Sequence, residues 1–208
     1  MQVPGVKIEK HLVADVQAFG GTFPVFAHTI DHPDGLVLVD TGMTGTHPLV
    51  EEEWHPRGYP DRIPRDVVCV INTHLHFDHC GGNPLFPGVP IHVQARELHD
   101  ARTEEDYTVR EWVDFDGATY VEHDGEAEIL PGIRLLPTPG HTAGHQSVVV
   151  DGVGVLGGDV AYSFRELGEA DTEGKRRVLD LGMTTWLAHV ERPKVPTRDP
   201  PRRSTLDG

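Results

Sequence analysis

Thr73-His74-Leu75-His76-Phe77-Asp78-His79-Cys80-Gly81-Gly82-Asn83 is the stretch from which the chain is best read. Four metal-binding side chains fall within six residues, at positions 74, 76, 78 and 79. In extended backbone, residues two apart point to the same side, so His74 and His76 can reach one metal from a strand end. Asp78 and His79 follow where glycines permit a turn, so they can be aimed at a second point. Imidazole plus carboxylate, with no thiolate cluster, suits Zn²⁺, Fe or Mn and not Ca²⁺ or Mg²⁺.

The run before it, Val67-Val68-Cys69-Val70-Ile71, is apolar without polar alternation, the pattern of a strand covered on both faces. Upstream, His11 to Phe19, Val25 to Asp31 and Leu36 to Asp40 read as strands, with a hairpin turn at Asp31-His32-Pro33-Asp34-Gly35. Residues 47–64 carry four prolines and read as a surface loop with a short helix at Leu49 to Trp54. Downstream, strands are expected at Ile91 to Val93, Ala118 to Val121, Glu126 to Leu130 and Ile133 to Leu136. A hairpin follows, Gln146 to Val150 and Val153 to Leu156 around Asp151-Gly152, with a last strand at Thr184 to Ala188. Gln94 to Asp100 and Lys175 to Leu181 read as helices. Leu36 to Asp40 and Val153 to Asp159 share a weak likeness, each running from an apolar strand into a glycine-containing turn beside an aspartate. Strands outnumber helices and helices follow strands in both halves, which predicts a mixed sandwich with helices outside. The expected organisation is one domain over residues 1–191 and a loose tail over 192–208.

The chain has 208 residues, enough for one domain with a full core. Its net charge of −15 argues against a nucleic-acid surface and against anionic membranes. The apolar runs are far too short to span a bilayer, and the first ten residues lack the apolar stretch of a signal peptide. Two cysteines, Cys69 and Cys80, make no disulfide framework, so a reducing cytoplasm is the expected location. The sequence leaves the oligomeric state open, a homodimer included.

Fourteen histidines are the unusual count. Beyond the first cluster, Thr138-Pro139-Gly140-His141-Thr142-Ala143-Gly144-His145 is a Pro/Gly-framed loop after a strand. Gly157-Gly158-Asp159 ends another apolar strand, and His189 sits at the exit of the last one. All these groups lie at strand ends, where sites in sheet proteins gather. His11, His28, His32, His47, His55, His92, His99 and His123 stand alone and read as solvated or hydrogen-bonded side chains. His145 reads as a supporting residue and Cys80 as a small packing residue. Asp40 either orients a metal-bound histidine, as carboxylates behind metal ligands do, or anchors its own turn.

In this order, His74-x-His76-x-Asp78-His79, His141, Asp159 and His189 resemble the metallo-β-lactamase superfamily, over Leu36 to His189. The resemblance implies an αββα sandwich, two mixed sheets flanked by helices, with the metals at one sheet edge. It further implies that His74, His76 and His141 hold one metal, that Asp78, His79 and His189 hold the other, and that Asp159 bridges them. Within the superfamily, residues 73–83 and the string Pro139-Gly140-His141-Thr142-x-Gly144-His145-Gln146-Ser147 are similar to the N-acyl-homoserine lactonases. Tyr162 matches their catalytic tyrosine.

The implied activity is hydrolysis of a small-molecule lactone or ester by two zinc ions, with iron or manganese as alternatives, through a bridging hydroxide. Tyr162 would donate to the carbonyl oxygen as charge builds there, and Asp78 would relay a proton. The alternatives are a thioester hydrolase resembling glyoxalase II and a non-catalytic metal-binding protein of the same fold. The charge disfavours a nuclease.

Overall fold

Two β-sheets lie face to face in the computed structural model, which describes residues 5–18 and 20–199. The first sheet takes β1 (Lys7–Ala18), β2 (Gly21–His32), β3 (Gly35–Val39), β5 (Arg57–Gly58), β6 (Cys69–Ile71), β7 (Pro90–Gln94) and β8 (Thr119–His123). A two-residue strand, β4 (Gly42–Met43), bridges to Cys80 and Gly81 beside it. The second sheet takes β9 (Ala127–Leu130), β10 (Ile133–Pro137), β11 (Gln146–Val150), β12 (Gly154–Leu156) and β13 (Thr185–Trp186). Their orders are β5-β1-β2-β3-β6-β7-β8 and β13-β12-β11-β10-β9. Both sheets are mixed. β3, β6, β7 and β8 run parallel while β1, β2 and β3 alternate, and β12 runs parallel to β13 beside antiparallel neighbours.

Strand periodicity sorts the side chains into layers. Ile30, Val37, Val39, Cys69 and Ile71 face Ile133, Leu135, Val148, Val150 and Leu156 between the sheets. Each aliphatic buried there contributes roughly 1.5–3 kcal/mol relative to exposure. Val70, between Cys69 and Ile71, points the other way into the layer with Val50 and Phe77. The unalternating run is thus covered on both faces, although the strand begins at Cys69 and Val68 is left 45% exposed. Helices α1 (Pro48–Trp54), α2 (Phe77–Cys80), α3 (Ala95–Thr103) and α4 (Arg110–Val113) flank the first sheet, and α5 (Phe164–Gly168) and α6 (Glu173–Leu181) the second. The expected αββα sandwich is what the chain adopts.

The elements follow local chemistry. Thr172 caps α6, its hydroxyl accepting from Lys175 N–H at 3.2 Å, and Gly182 ends that helix in a left-handed conformation at φ +60. Helices α2, α4 and α5 were not expected, because four or five residues are too few to display a helical period. Gln94 proves to be the last residue of β7, outside the helix assigned to it. The last strand is shorter than expected, and Phe19, placed in the first strand, lies outside the described residues. The described part of the segment from Arg192, residues 192–199, is bonded to the second-sheet side of the fold. Thr185 and Lys194 exchange backbone hydrogen bonds at 2.9 and 3.1 Å, and Asp199 N–H donates to the Gly168 carbonyl at 2.9 Å. Residues 200–208 lie outside the described residues.

One solitary histidine stands out in the core. His28, on β2 opposite Lys10, is 4% exposed, and its Nε2 has no hydrogen-bond partner. Burial, followed by the positive field of Lys10 and His11, pushes its pKa down to about 3. A histidine depressed in the fold supports stability above its unfolded pKa and withdraws it as pH falls, because only the unfolded chain takes the proton. The window runs from 6.5 down to about 3. His28→Leu should therefore gain on the parent as pH drops. The variant's stability relative to the parent should rise by about 2 kcal/mol from pH 7 to pH 5, read from urea unfolding midpoints. A gap that stays constant over that range would show that His28 does not withhold its proton in the fold.

Candidate metal centre

Every site residue expected from the sequence arrives at one place, the common edge of the two sheets. His74 and His76 leave β6, and Asp78 and His79 sit on α2, a single turn begun by His76. Thr41 N–H donates to the His79 carbonyl at 2.8 Å and holds α2 against β4. Gly82 makes this approach possible, since a Cβ there would stand 2.3 Å from the Thr41 carbonyl oxygen. His141 lies between β10 and β11, Asp159 after β12, and His189 after β13.

Three overlapping groups could each hold a metal ion: His74, His76 and His141; Asp78, His79 and His189; and His74, His79 and Asp159. His76 Nδ1 stands 3.1 Å from His74 Nε2 and 3.0 Å from His141 Nε2. A tetrahedral ion with bonds of about 2.0–2.1 Å sets its ligand nitrogens roughly 3.3 Å apart, so the first trio is close to a ligand set. In the second, Asp78 Oδ2 lies 3.6 Å from His79 Nε2 and 3.7 Å from His189 Nε2. Asp159 stands between the groups, 3.4 Å from His79 Nε2, 3.2 Å from His189 Nε2 and 3.7 Å from His141 Nε2.

Two buried atoms here, His79 Nε2 and Asp159 Oδ1, lack any hydrogen-bond partner. They face each other across the space where a cation would sit. Burial of polar atoms without partners is costly, and a shared metal would satisfy both. The donor set of imidazoles and carboxylates fits a transition metal on the same ground.

Electrostatics divides the ring of ligands. Burial, reinforced by neighbouring imidazoles, drives the His74 pKa well below its usual value and that of His76 to about 4; burial also lowers His141. These three are neutral and have lone pairs to give. His79 and His189 behave oppositely. Burial alone would lower them, but the surrounding carboxylates, Asp159 first, outweigh it, raising His79 well above its usual value and His189 to about 9. Asp159 is held well below the usual carboxylate range by His189 and His79 despite its burial. Its surroundings demand positive charge.

Asp40 does both things that its position allowed. Its Oδ1 accepts from Thr73 N–H at 2.7 Å and anchors the turn. Its Oδ2 accepts from the Thr73 hydroxyl at 2.8 Å and from His79 Nδ1–H at 3.0 Å. The His79 proton is thereby fixed on Nδ1 and Nε2 is aimed inward. Thr73 Oγ1 lies 3.2 Å from His74 Nδ1, so the same carboxylate backs a residue of each trio. Asp40 adopts φ +61, a left-handed conformation uncommon outside glycine. His189 is oriented by Nδ1–H donating to the Pro24 carbonyl at 2.8 Å.

His145 supports the site as expected. Its Nε2 accepts from Asp159 N–H at 3.2 Å, so Nδ1 carries the proton and donates to Thr138 Oγ1 at 2.8 Å. The Thr138 hydroxyl continues to Ser147 Oγ at 2.9 Å, and Ser147 to the Gly157 carbonyl at 3.3 Å. Burial, then the field of His141, lowers the His145 pKa to about 3 and keeps it neutral for this task. Cys80 packs at 0% exposure, its thiol pushed up to about 12 by burial. Sequence reading gave no role to Thr73 and Thr138, whose only signal is adjacency to ligand segments, or to Glu97, which has no such signal.

The groups form the floor of a cleft of about 450 Å³. Val16, Phe23, Leu49, Trp54 and Phe77 make an apolar wall, and the charged lining residues besides histidine are Glu53, Asp78, Asp106 and Asp159. Tyr162, 41% exposed, stands at the rim with its hydroxyl 3.5 Å from His141 Nδ1. Burial, then the fields of Asp159 and Asp78, raises its pKa and keeps the phenol protonated.

Comparison with known proteins bears on the family and the fold. The family profile of the metallo-beta-lactamase superfamily matches residues 20–168. An N-acyl homoserine lactonase from a Bacillus species is 37% identical over 150 residues, 62% of this chain and 58% of that protein. One from Bacillus cereus is 34% identical over 164 residues, 67% of this chain and 65% of that protein. The chain thus spans about six tenths of the length of these relatives. The crystal structure of a quorum-quenching N-acyl homoserine lactone hydrolase superimposes with a TM-score of 0.74 at 26% identity, covering 91% of this chain and 93% of that one. No helix among the described residues is long and apolar enough to cross a membrane. With its profile match, its two mixed sheets and its metal-binding groups at their shared edge, the chain belongs to the metallo-beta-lactamase superfamily.

Proposed function

We propose that the chain is a metal-dependent hydrolase of neutral acyl lactones, with N-acyl homoserine lactones as the substrate class. The observation that carries this is the pairing of two candidate metal sites around Asp159 with an apolar-walled cleft that has Tyr162 at its rim. His74, His76 and His141 would hold one ion, Asp78, His79 and His189 the other, and Asp159 would be shared. Zinc is the metal we assign, because imidazole and carboxylate donors without thiolate suit it. When bound, such a pair supplies Lewis acidity toward a carbonyl oxygen and lowers the pKa of coordinated water from 15.7 toward about 7.

The residues of the chain supply the rest. The apolar wall from Val16 to Phe77 receives the acyl chain and excludes water from it. Tyr162 keeps its proton and donates a hydrogen bond to the substrate carbonyl oxygen, where negative charge builds as water adds. Asp78, open to the cleft, takes the proton released from water and returns it to the ring oxygen as the acyl C–O bond breaks. One water is consumed, and the ring opens to a hydroxy acid.

The lining also argues for a neutral substrate. Away from the proposed ligands, the charged lining residues are Glu53 and Asp106, which oppose an anionic glutathione tail, and no Lys or Arg lines the described cleft. We place the reaction in the reducing cytoplasm, consistent with two unpaired, buried cysteines.

Two measurements test this reading. Protein loaded with excess zinc and desalted should retain two ions per chain. His189→Ala should keep one and lose most turnover, and retention of two tight ions by that variant would remove His189 from the ligand set. In a panel of lactones, thioesters and β-lactams, lactones should turn over fastest. Tyr162→Phe should lower kcat on them about tenfold to a hundredfold with metal content unchanged. Unchanged lactone turnover in Tyr162→Phe would return the tyrosine to a packing role, and thioesters outpacing lactones would replace the assigned substrate class.

A further inference from the structure

Helix α3 carries an acid that the chemistry above does not use. Glu97, in the first turn of α3, is 0% exposed. Its carboxylate accepts three hydrogen bonds from three separate loops. Oε1 takes Leu75 N–H at 2.8 Å and the Tyr107 hydroxyl at 2.5 Å, and Oε2 takes the Thr142 hydroxyl at 2.6 Å. Leu75 lies between His74 and His76, and Thr142 follows His141. The Tyr107 ring packs on His76, centroids 5.1 Å apart, and lines the cleft. The loop of His141 is pressed onto the same helix turn, since a Cβ at Gly144 would stand 2.3 Å from Glu97 N.

Each contact reaches a segment of the three-histidine trio, and none reaches Asp78, His79 or His189. Burying a carboxylate costs several kcal/mol unless its lone pairs are filled, and an apolar side chain would pack α3 without that cost. The position of the acid therefore calls for a task that packing does not supply.

We propose that Glu97 is the positioning residue of the three-histidine metal site, and that through Tyr107 it ties one wall of the cleft to that site. This rests on the ligand assignment proposed above. By pinning the backbone between His74 and His76 and the loop after His141, the carboxylate sets His74 Nε2, His76 Nδ1 and His141 Nε2 in convergence before an ion arrives. Residues that support metal ligands in this way typically change affinity by about 10–100-fold when altered.

The test uses Glu97→Gln, which preserves volume but offers an amide nitrogen where the carboxylate accepts. It is made in two backgrounds, each retaining one site: His189→Ala keeps the three-histidine trio, and His76→Ala keeps the Asp78, His79 and His189 set. Zinc retention is followed by elemental analysis against a graded chelator, with thermal melting as the check on folding. Glu97→Gln should weaken the ion in the His189→Ala background about 10–100-fold and leave the ion in the His76→Ala background unchanged. Thr142→Val and Tyr107→Phe, each removing one donor, should weaken the first ion by less, and they carry the test if Glu97→Gln does not fold. Equal weakening in both backgrounds would mean a general structural role, and no weakening in either would remove the role altogether; both overturn the proposal. The readout needs no substrate, so it stands apart from any failure of the lactonase reading. A parent protein that binds no zinc would instead overturn the ligand assignment, and this proposal with it.

Discussion

Asp159 imposes the constraint around which the molecule is arranged. Its carboxylate is 4% exposed at the edge of an apolar sandwich, and one oxygen has no hydrogen-bond partner. A buried anion is tolerated only beside positive charge, so the fold must bring cationic or metal-binding groups to it from several directions. The turn bearing it is fixed just as firmly. Gly158 adopts φ +54, with Thr73 Oγ1 2.6 Å from where a Cβ would be, so that the next residue drops onto the site floor. Gly157 N–H donates to the Trp186 carbonyl, Ala188 N–H to the Gly158 carbonyl, and Asp159 N–H to His145. The strand that delivers His189 and the turn that delivers Asp159 are thereby locked together.

Two buried carboxylates support the trios, Asp40 reaching both of them through His79 and Thr73, and Glu97 the three-histidine one. The carboxylate of Asp40 bonds directly to His79, and Glu97 bonds to the segments carrying His74, His76 and His141. The resulting cluster has one half whose imidazoles have their proton affinity lowered by burial, and another where carboxylates raise it against burial. One cleft can thus present lone pairs on one side and strong anionic attraction on the other.

Much of this was legible in the residues. Val67 to Ile71 announced a doubly covered strand because apolar side chains without alternation have no solvent face, and Cys69, Val70 and Ile71 bear that out. The ligand types announced a metal centre because their chemistry is local. The weak likeness between Leu36–Asp40 and Val153–Asp159 did not say that their turns meet on His79, where Asp40 bonds Nδ1 and Asp159 faces Nε2. What stayed hidden depends on distant partners. Glu97 and Thr142 are 45 positions apart, and nothing in either neighbourhood reveals that they meet. The single-turn helix α2 was equally unreadable, since it is held by Thr41 and the close approach of Gly82 and not by an internal period.

The placement of the candidate ligands on both sheets has a consequence for how the chain acquires its centre during synthesis. His74 to His79 come from the first sheet, whereas His141, Asp159 and His189 come from the second. A nascent chain emerging N-terminus first exposes the first cluster long before its partners exist. Contacts so distant in sequence form late, after the loop-closure cost has been met. On the assignment proposed above, His74 and His76 would gain their third donor once residue 141 has emerged, whereas Asp78 and His79 would wait for residue 189. The two candidate sites would therefore be completed in order, the three-histidine one first, and a product truncated before residue 189 would lack a donor of the second alone.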